Sequence, residues 1–214
     1  FSIGTFTGTG SNGSIGHGLG KVPAMIIAKS RSHSDNWFVY HQDLGANAYI
    51  MLNSTNQVDS SNSTVWQNVA PTSSVFYSST GGYNDSGESL VFYCWAEIPG
   101  YSKFGSYTGN GSSDGPYVHL GFKPAFVMVK STNASEHWNI PVDTYSYNGV
   151  DKTISPNLTN AERDMSGGDA MDFLSNGFKI RNSDNNYVNS GKTFIYMAFA
   201  EQPSKTMFGL DANA

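Results

Sequence analysis

The chain has 214 residues, of which 38% are hydrophobic, 14% aromatic and 14% charged, and its formal net charge is −5. This apolar content excludes intrinsic disorder, because a disordered chain lacks the hydrophobic area that offsets chain entropy. The negative charge without any basic run argues against nucleic-acid binding, and no apolar stretch reaches the roughly 20 residues of a membrane-spanning helix.

Eight segments are typical of short β-strands. They are rich in aromatic and β-branched residues, and clusters of Gly, Asn, Ser and Asp separate them. In chain order they are residues 22–30, 37–41, 48–52, 74–78, 90–97, 123–131, 177–180 and 194–201. One helix start is predicted, at Thr159 with Glu162, where capping-box spacing supports a single short turn. Short strands without a long helical period predict an all-β chain of antiparallel sandwiches.

The chain also contains an internal repeat. Residues 3–38 align without a gap on residues 104–139, an offset of 101, and beyond residue 48 the offset becomes 104. The three extra residues of the second copy fall within residues 141–151. A repeat of this length predicts a duplicated folding unit. We therefore expect two tandem, homologous antiparallel β-sandwich domains, residues 1–103 and 104–207.

The ends of the chain suggest that the repeat continues. Phe208 and Gly209 match Phe104 and Gly105, so residues 208–214 are predicted to begin a further repeat or a tail. Because the chain opens on Phe1 rather than Met, we expect it to be part of a longer polypeptide.

Cys94 is the one cysteine of the chain, which excludes an internal disulfide and any zinc site with two thiolates from this chain. It lies between Tyr93 and Trp95 in an apolar segment. A small buried hydrophobic side chain is the predicted role, rather than a catalytic thiol.

A histidine and a carboxylate two residues apart are candidates for a general acid and a general base. His41 and Asp43 would point to the same face of a strand. No Ser or Cys in a nucleophile-elbow context accompanies them, and the second copy has Val142 and Thr144 at the matching positions. The sequence therefore does not favour catalysis here.

Acidic residues are candidates for the catalytic carboxylates of a glycosidase or for calcium ligands. The pairs Asp35 with Asp43 and Asp164 with Asp169 are typical loop acids, and none stands out as two carboxylates across a cleft. Residues 164–169 lack the ligand spacing of a calcium loop, so a turn is predicted there. We expect no catalytic residue, no metal site and no cofactor.

Aromatic residues are the candidates for ligand contacts. Trp37 recurs as Trp138, and a tryptophan kept in both copies is either a sugar-stacking surface or a core residue. The loop with the extra residues holds Tyr145, Tyr147 and Asn148, and loops tolerate functional change. These five residues are the predicted ligand-binding set. An aromatic loop that packs on a neighbouring chain is the alternative for the loop residues.

Several long segments resemble a known family. They are residues 100–130 and 172–203, with GHGLGKVPAMIIAKSRS (16–32) and APTSSVFYSS (70–79) in the first copy. They look like the repeated domain of large tail-fibre and other virion proteins of tailed bacteriophages, particularly marine ones. The resemblance covers nearly the whole chain. It implies a β-rich structural or adhesive module with no catalytic residues to carry over, located in the virion after assembly in the bacterial cytoplasm.

The residues and the resemblance together predict a non-enzymatic structural protein of the virion. It would be a tail-fibre or appendage segment whose partners are identical or homologous virion subunits. Low charge, no disulfide and tandem β units suit an extracellular spacer. A module that binds a host-surface polysaccharide or receptor is the alternative, and a polysaccharide depolymerase is a remote one.

Overall fold

The chain folds into two compact units, residues 1–96 and residues 97–214. The structure is a computed structural model that describes residues 1–60, 65–80, 82–142, 152–164, 171–183 and 188–202. Over these residues it contains strands and turns but no helix, which confirms the all-β prediction. The described part of the chain accordingly offers no helix that could cross a membrane.

The described residues of the first unit form seven strands in two antiparallel sheets. The strands are β1 (Ser2–Thr7), β2 (Gly13–Gly16), β3 (Met25–Ser30), β4 (Phe38–His41), β5 (Ile50–Met51), β6 (Val75–Ser78) and β7 (Ser89–Trp95). Five form one sheet in the order β1-β7-β3-β4-β5, and β2 pairs with β6 in the other.

The core of the first unit lies between these two sheets. Strand β7 alternates buried and half-buried residues, so that Leu90, Phe92 and Cys94 share the core face. Phe76 of β6 meets Phe92 at a ring-centroid distance of 5.2 Å and an interplanar angle of 69°. Two sheets that interleave aromatic side chains in this way form a sandwich.

The second unit has nine described strands. They are β8 (Ser102–Thr108), β9 (Tyr117–His119), β10 (Pro124–Ser131), β11 (Ile140–Val142), β12 (Lys152–Ile154), β13 (Arg163–Asp164), β14 (Met171–Leu174), β15 (Gly177–Ile180) and β16 (Thr193–Ala200). Their sheets have the orders β10-β16-β8, β11-β12-β13 and β14-β15-β9. All of these pairings are antiparallel.

The core of the second unit joins the sheet of β16 to the sheet of β15. Phe178 of β15 packs edge-on against Tyr196 of β16 and against Tyr107 of β8, with centroid distances of 5.6 and 5.8 Å. Val127 and Val129 of β10 belong to the same cluster and are fully buried.

The two units share part of their strand order, although the described strands of the second form three sheets where those of the first form two. Strands β1, β7, β3, β4 and β5 correspond to β8, β16, β10, β11 and β12 when the offsets of 101 and 104 are applied. An isolated bridge between Val129 and Asn139 stands where the full β3–β4 ladder lies in the first unit. The β2–β6 pairing corresponds to the β9–β15 pairing.

All eight strands expected from the apolar runs are present, with bounds that differ by a few residues. The units divide between Ala96 and Glu97. The repeat boundary expected after residue 103 remains a prediction, and residues 208–214 lie outside the described residues.

The helical turn expected at Thr159 is wrong. Residues 159–162 have no regular structure and lead directly into β13, where Arg163 pairs with Thr153 of β12. A capping box stabilises a helix that follows it, but the next residues here are held in a sheet ladder.

Candidate functional site

Three of the five predicted ligand residues cannot be placed in the fold. Tyr145, Tyr147 and Asn148 lie outside the described residues. Their role in ligand binding stays a prediction.

The two repeated tryptophans have the same backbone setting but different exposure. The Trp37 amide donates to Oδ1 of Asn53 at 3.0 Å, and the Trp138 amide donates to Oδ1 of Asn157 at 3.2 Å. Trp138 is only 1% exposed, whereas Trp37 is half-buried. Of the two roles open for these residues, the core role therefore fits Trp138, and only Trp37 presents part of its ring to solvent.

Trp37 belongs to a row of aromatic rings on the face of the first unit's large sheet that points away from the core. Tyr93 lies nearly parallel to Trp37 at a centroid distance of 6.4 Å, and Trp95 lies nearly parallel to Tyr93 at 6.2 Å. Phe1 follows at 5.2 Å from Trp95 and is 65% exposed. We call these four residues the aromatic row. Among the described residues, the aromatic row is the feature that adds further rings to Trp37 for the predicted stacking on sugars.

His41 and Asp43 do not form an acid–base pair through their side chains. His41 is buried, and its Nδ1 accepts a hydrogen bond of 3.2 Å from the backbone N–H of Asp43. The contact belongs to the turn that follows β4, where Asp43 itself is exposed. This geometry gives the imidazole a structural partner and leaves the prediction that the chain is not an enzyme untested.

Cys94 is fully buried in the first core, as predicted. Burial raises the pKa of its thiol to about 12. Because the thiolate is the nucleophilic form, a thiol in this setting is inert near neutral pH.

The structure gives Asp164 and Asp35 partners other than the acids with which the sequence pairs them. Asp164 forms an ion pair with Lys152 of the neighbouring strand, and Asp169 lies outside the described residues. Asp35 faces a different carboxylate, that of Glu88.

His33, Asp35 and Glu88 form a cluster that the sequence did not predict. One ligand atom from each lies within 4.8 Å of the other two. Pairing of β3 with β7 sets Ser30 opposite Leu90, and this brings the loop after β3 to the residue just before β7. Glu88 is 1% exposed and forms the floor, while the His33 side chain is 54% exposed at the rim.

The two oxygens of Glu88 have different surroundings. Oε2 accepts hydrogen bonds of 2.9 Å from the backbone amides of Asn84 and Asp85. Oε1 has no hydrogen bond of ordinary geometry, and Nδ1 of His33 lies 3.4 Å away.

The surroundings of the cluster shift the pKa values of its two carboxyl groups in opposite directions. Burial alone would raise the pKa of Glu88, but hydrogen bonds that include those from the Ser30 hydroxyl and the two amides outweigh burial and lower it. Burial and the neighbouring Glu88 raise the pKa of Asp35, against opposing effects of His33 and Lys29. The geometry thus favours an ionised Glu88 beside a carboxyl that ionises reluctantly.

A family model for a domain of unknown function, DUF7483, matches residues 1–203. The chain belongs to the DUF7483 family. No curated protein and no solved structure matches it. The match runs through both structural units, so the DUF7483 domain comprises the pair rather than one unit.

Proposed function

We propose that this DUF7483 chain is a non-enzymatic structural segment of a bacteriophage virion, a tail-fibre or appendage module made of two duplicated β-sandwich units. The observation that carries the proposal is that the strand order β1-β7-β3 of the first unit recurs as β8-β16-β10 in the second. Each unit also has its own aromatic and aliphatic core. Modules that carry their own cores can be joined in series, which is the construction of an elongated spacer.

Repeated hydrogen bonds at positions related by the sequence offsets support the duplication. The amide of Arg31 donates to the carbonyl of Ser89 at 2.7 Å, and the amide of Thr132 donates to that of Thr193 at 2.8 Å. The side chains of Asn53 and Asn157 cap the two tryptophan amides in the same way. Unrelated β units would not reproduce contacts at these offsets.

The proposal is tested in purified particles from the phage or prophage that encodes the chain. We expect mass spectrometry to find the chain in the particles and antibody-labelled electron microscopy to place it on a fibre or appendage. Recovery of the chain only as a free enzyme in the cytoplasm would overturn the proposal.

The proposed partners are identical or homologous virion subunits. Thin fibres gain rigidity by burying side chains between symmetric copies. Light scattering of residues 1–214, beside a longer chain with its natural flanks, measures this association. Two monomers at high concentration would remove the fibre-forming part and favour a decorating or binding role.

The aromatic row favours a second candidate function, binding of a host-surface polysaccharide. Aromatic side chains with one exposed side stack on the apolar faces of sugar rings and fix their orientation. Trp37, Tyr93 and Trp95 are half-buried rings that follow one another along one sheet face, with the exposed Phe1 at its end.

A glycan array or a whole-cell assay tests this second function. We expect Trp37→Ala and Trp95→Ala to weaken binding at least tenfold. Tyr117→Ala, which removes a 43% exposed aromatic ring from the second unit, is the matched control. If Tyr145→Ala and Tyr147→Ala abolish binding and the row variants do not, the predicted loop is the site instead.

A further inference from the structure

We propose that His33, Asp35 and Glu88 form a binding site for one divalent metal ion in the first unit. The cluster combines an imidazole nitrogen with two carboxylates, and its three ligand atoms lie within 4.8 Å of one another. This proposal replaces the expectation from sequence spacing that the chain has no metal site, and it does not depend on the proposed virion role.

The buried carboxylate is the observation that points to a ligand. Glu88 is 1% exposed, and its Oε1 is directed toward His33 without a hydrogen bond of ordinary geometry. A buried carboxylate oxygen without a hydrogen bond is costly, so native structures satisfy such an atom with a donor, a cation or a metal ion.

The equivalent position in the second unit also indicates that a cation belongs at this place, because a lysine stands there instead of Glu88. The repeat offsets place Glu136 at the position of Asp35 and Lys192 at the position of Glu88. There, Nζ of Lys192 donates to Oε1 of Glu136 at 2.9 Å, with both side chains largely buried. A fixed cation therefore stands in the second unit where the first has a second anion.

The local charge balance is consistent with a bound divalent cation. In the first unit, His33 and Lys29 are the positive groups that act on Asp35 beside two carboxylates, and of these only Lys29 carries a charge when His33 is a neutral metal ligand. In the second unit, Lys130 and Lys192 act as two positive charges on Glu136. A divalent ion at the first site would give the two positions the same net charge.

The donor set indicates which ion the site takes. Imidazole with carboxylates suits Zn²⁺ and related transition metals, whereas Ca²⁺ takes six to eight oxygen ligands. Three protein ligands under an exposed rim leave a coordination position for water. A metal held there would link the loop after β3 to the turn before β7 and so stabilise the first sandwich.

Calorimetric titration of the chelator-treated chain with ZnCl₂ at pH 7 tests the site, with thermal unfolding as the second readout. We expect one Zn²⁺ per chain and a Tm increase of about 5 °C at saturating metal. CaCl₂ and MgCl₂ should give no shift at the same concentration.

Two variants remove ligands with little effect on the fold. His33→Ala truncates an exposed side chain, and Glu88→Gln keeps an oxygen that accepts the two amide hydrogen bonds. Each should weaken Zn²⁺ binding at least tenfold, and His119→Ala, an exposed histidine of the second unit, should leave it unchanged. Absence of Zn²⁺ binding below millimolar concentration, or binding that His33→Ala leaves intact, would overturn the proposal.

Discussion

Lys192 donates a hydrogen bond of 2.9 Å to Glu136, at the place in the second unit where Glu88 faces Asp35 in the first. The first pair ties the loop after β3 to the residue that precedes β7, and the second ties the loop after β10 to the residue that precedes β16. Both units therefore connect the same loop and strand start through a side-chain pair. The pair is an anion and a cation in the second unit and two carboxyl groups in the first. The first unit needs a further positive charge, from a proton or a metal ion, to make the same link.

The substitution Glu88→Lys should convert the first link into the second. Lysine at this position would pair with Asp35 as Lys192 pairs with Glu136, while the two hydrogen bonds to Oε2 are lost. These effects oppose each other, so we expect the free energy of unfolding to change by less than about 2 kcal/mol. The Zn²⁺-dependent increase in Tm should disappear.

Urea unfolding with and without Zn²⁺ measures this prediction. Glu88→Ala is its control, because it removes the same hydrogen bonds and adds no cation. We expect the alanine variant to be the less stable of the two by about 1–2 kcal/mol. Equal stability of the two variants would mean that lysine forms no pair with Asp35.

Asp35→Asn should stabilise the metal-free chain at neutral pH. The pKa of Asp35 is raised in the folded state by burial and by Glu88, so its protonated form is favoured by folding. That contribution is present at low pH and is lost as pH rises through the folded pKa, above which the ionised Asp35 opposes folding. The amide stays neutral, and we expect a Tm increase of about 2 °C at pH 7 and none at pH 3.

Calorimetry at the two pH values in the presence of a chelator checks this prediction. Asp43→Asn, which makes the same change at an exposed position of the same unit, is the matched control. With Zn²⁺ present the sign should reverse, because the Asp35→Asn variant lacks a ligand. Destabilisation at pH 7 without metal would show that Asp35 contributes a favourable interaction as a carboxylate.

The sequence predicts the strands that are rich in apolar side chains. It misses strands of small or polar residues that are covered by large side chains of a neighbouring strand. Strands β1 and β8 contain Gly4 and Gly105 among Ser and Thr residues, a composition that also suits turns. In the structure the ring of Phe92 covers Gly4 and the ring of Tyr196 covers Gly105. Those aromatic residues are about 90 positions away, so local composition does not identify the strands.

The candidate metal site is hidden for a similar reason. His33 and Asp35 are more than 50 positions from Glu88, and the β3–β7 ladder brings them together. The internal repeat held the available signal, since Glu88 aligns with Lys192 and Asp35 with Glu136. The change from Glu88 to Lys192 indicates a missing cation only once the structure shows that these residues contact Asp35 and Glu136.

The repeat alignment also misses one pair of equivalent buried residues. Asn84 accepts from the amide of Thr9 and donates to the carbonyl of Ser11, and Asn189 makes the matching contacts with Gly111 and Ser112. The offset of 104 aligns Asn84 with Val188 instead. A local shift of one residue keeps the hydrogen bonds to the glycine-rich turn while it hides them from the alignment.

Gly4→Ala should destabilise the first unit. An added Cβ would lie 2.8 Å from Cε1 of Phe92 and closer still to Cζ, so the ring must move out of its position in the core. Overpacking of this kind costs about 1–3 kcal/mol. Gly16→Ala is the matched control, because Gly16 also lies in a strand but a Cβ there has no atom within 4 Å.

Urea denaturation followed by tryptophan fluorescence measures both variants. The control should be neutral or stabilising by up to about 1 kcal/mol, because alanine restricts the unfolded chain more than glycine does. If Gly4→Ala behaves like Gly16→Ala, the Phe92 ring does not rest on the Gly4 backbone as described.

Cys94 should resist alkylation for as long as the first sandwich stays folded. Its side chain is fully buried, and burial raises the pKa of the thiol to about 12, so about one molecule in ten thousand carries the thiolate at pH 8. We expect iodoacetamide at pH 8 to modify the native chain at least a hundred times more slowly than the chain in concentrated guanidinium chloride. Mass spectrometry of quenched time points gives both rates.

The thiol reacts only when the core around Leu90 and Phe92 opens, so conditions that destabilise the first unit should raise the rate of alkylation of the native chain. Gly4→Ala should therefore raise this rate more than Gly16→Ala does. Native and denatured rates that agree would place Cys94 outside the core and contradict the packing of strand β7.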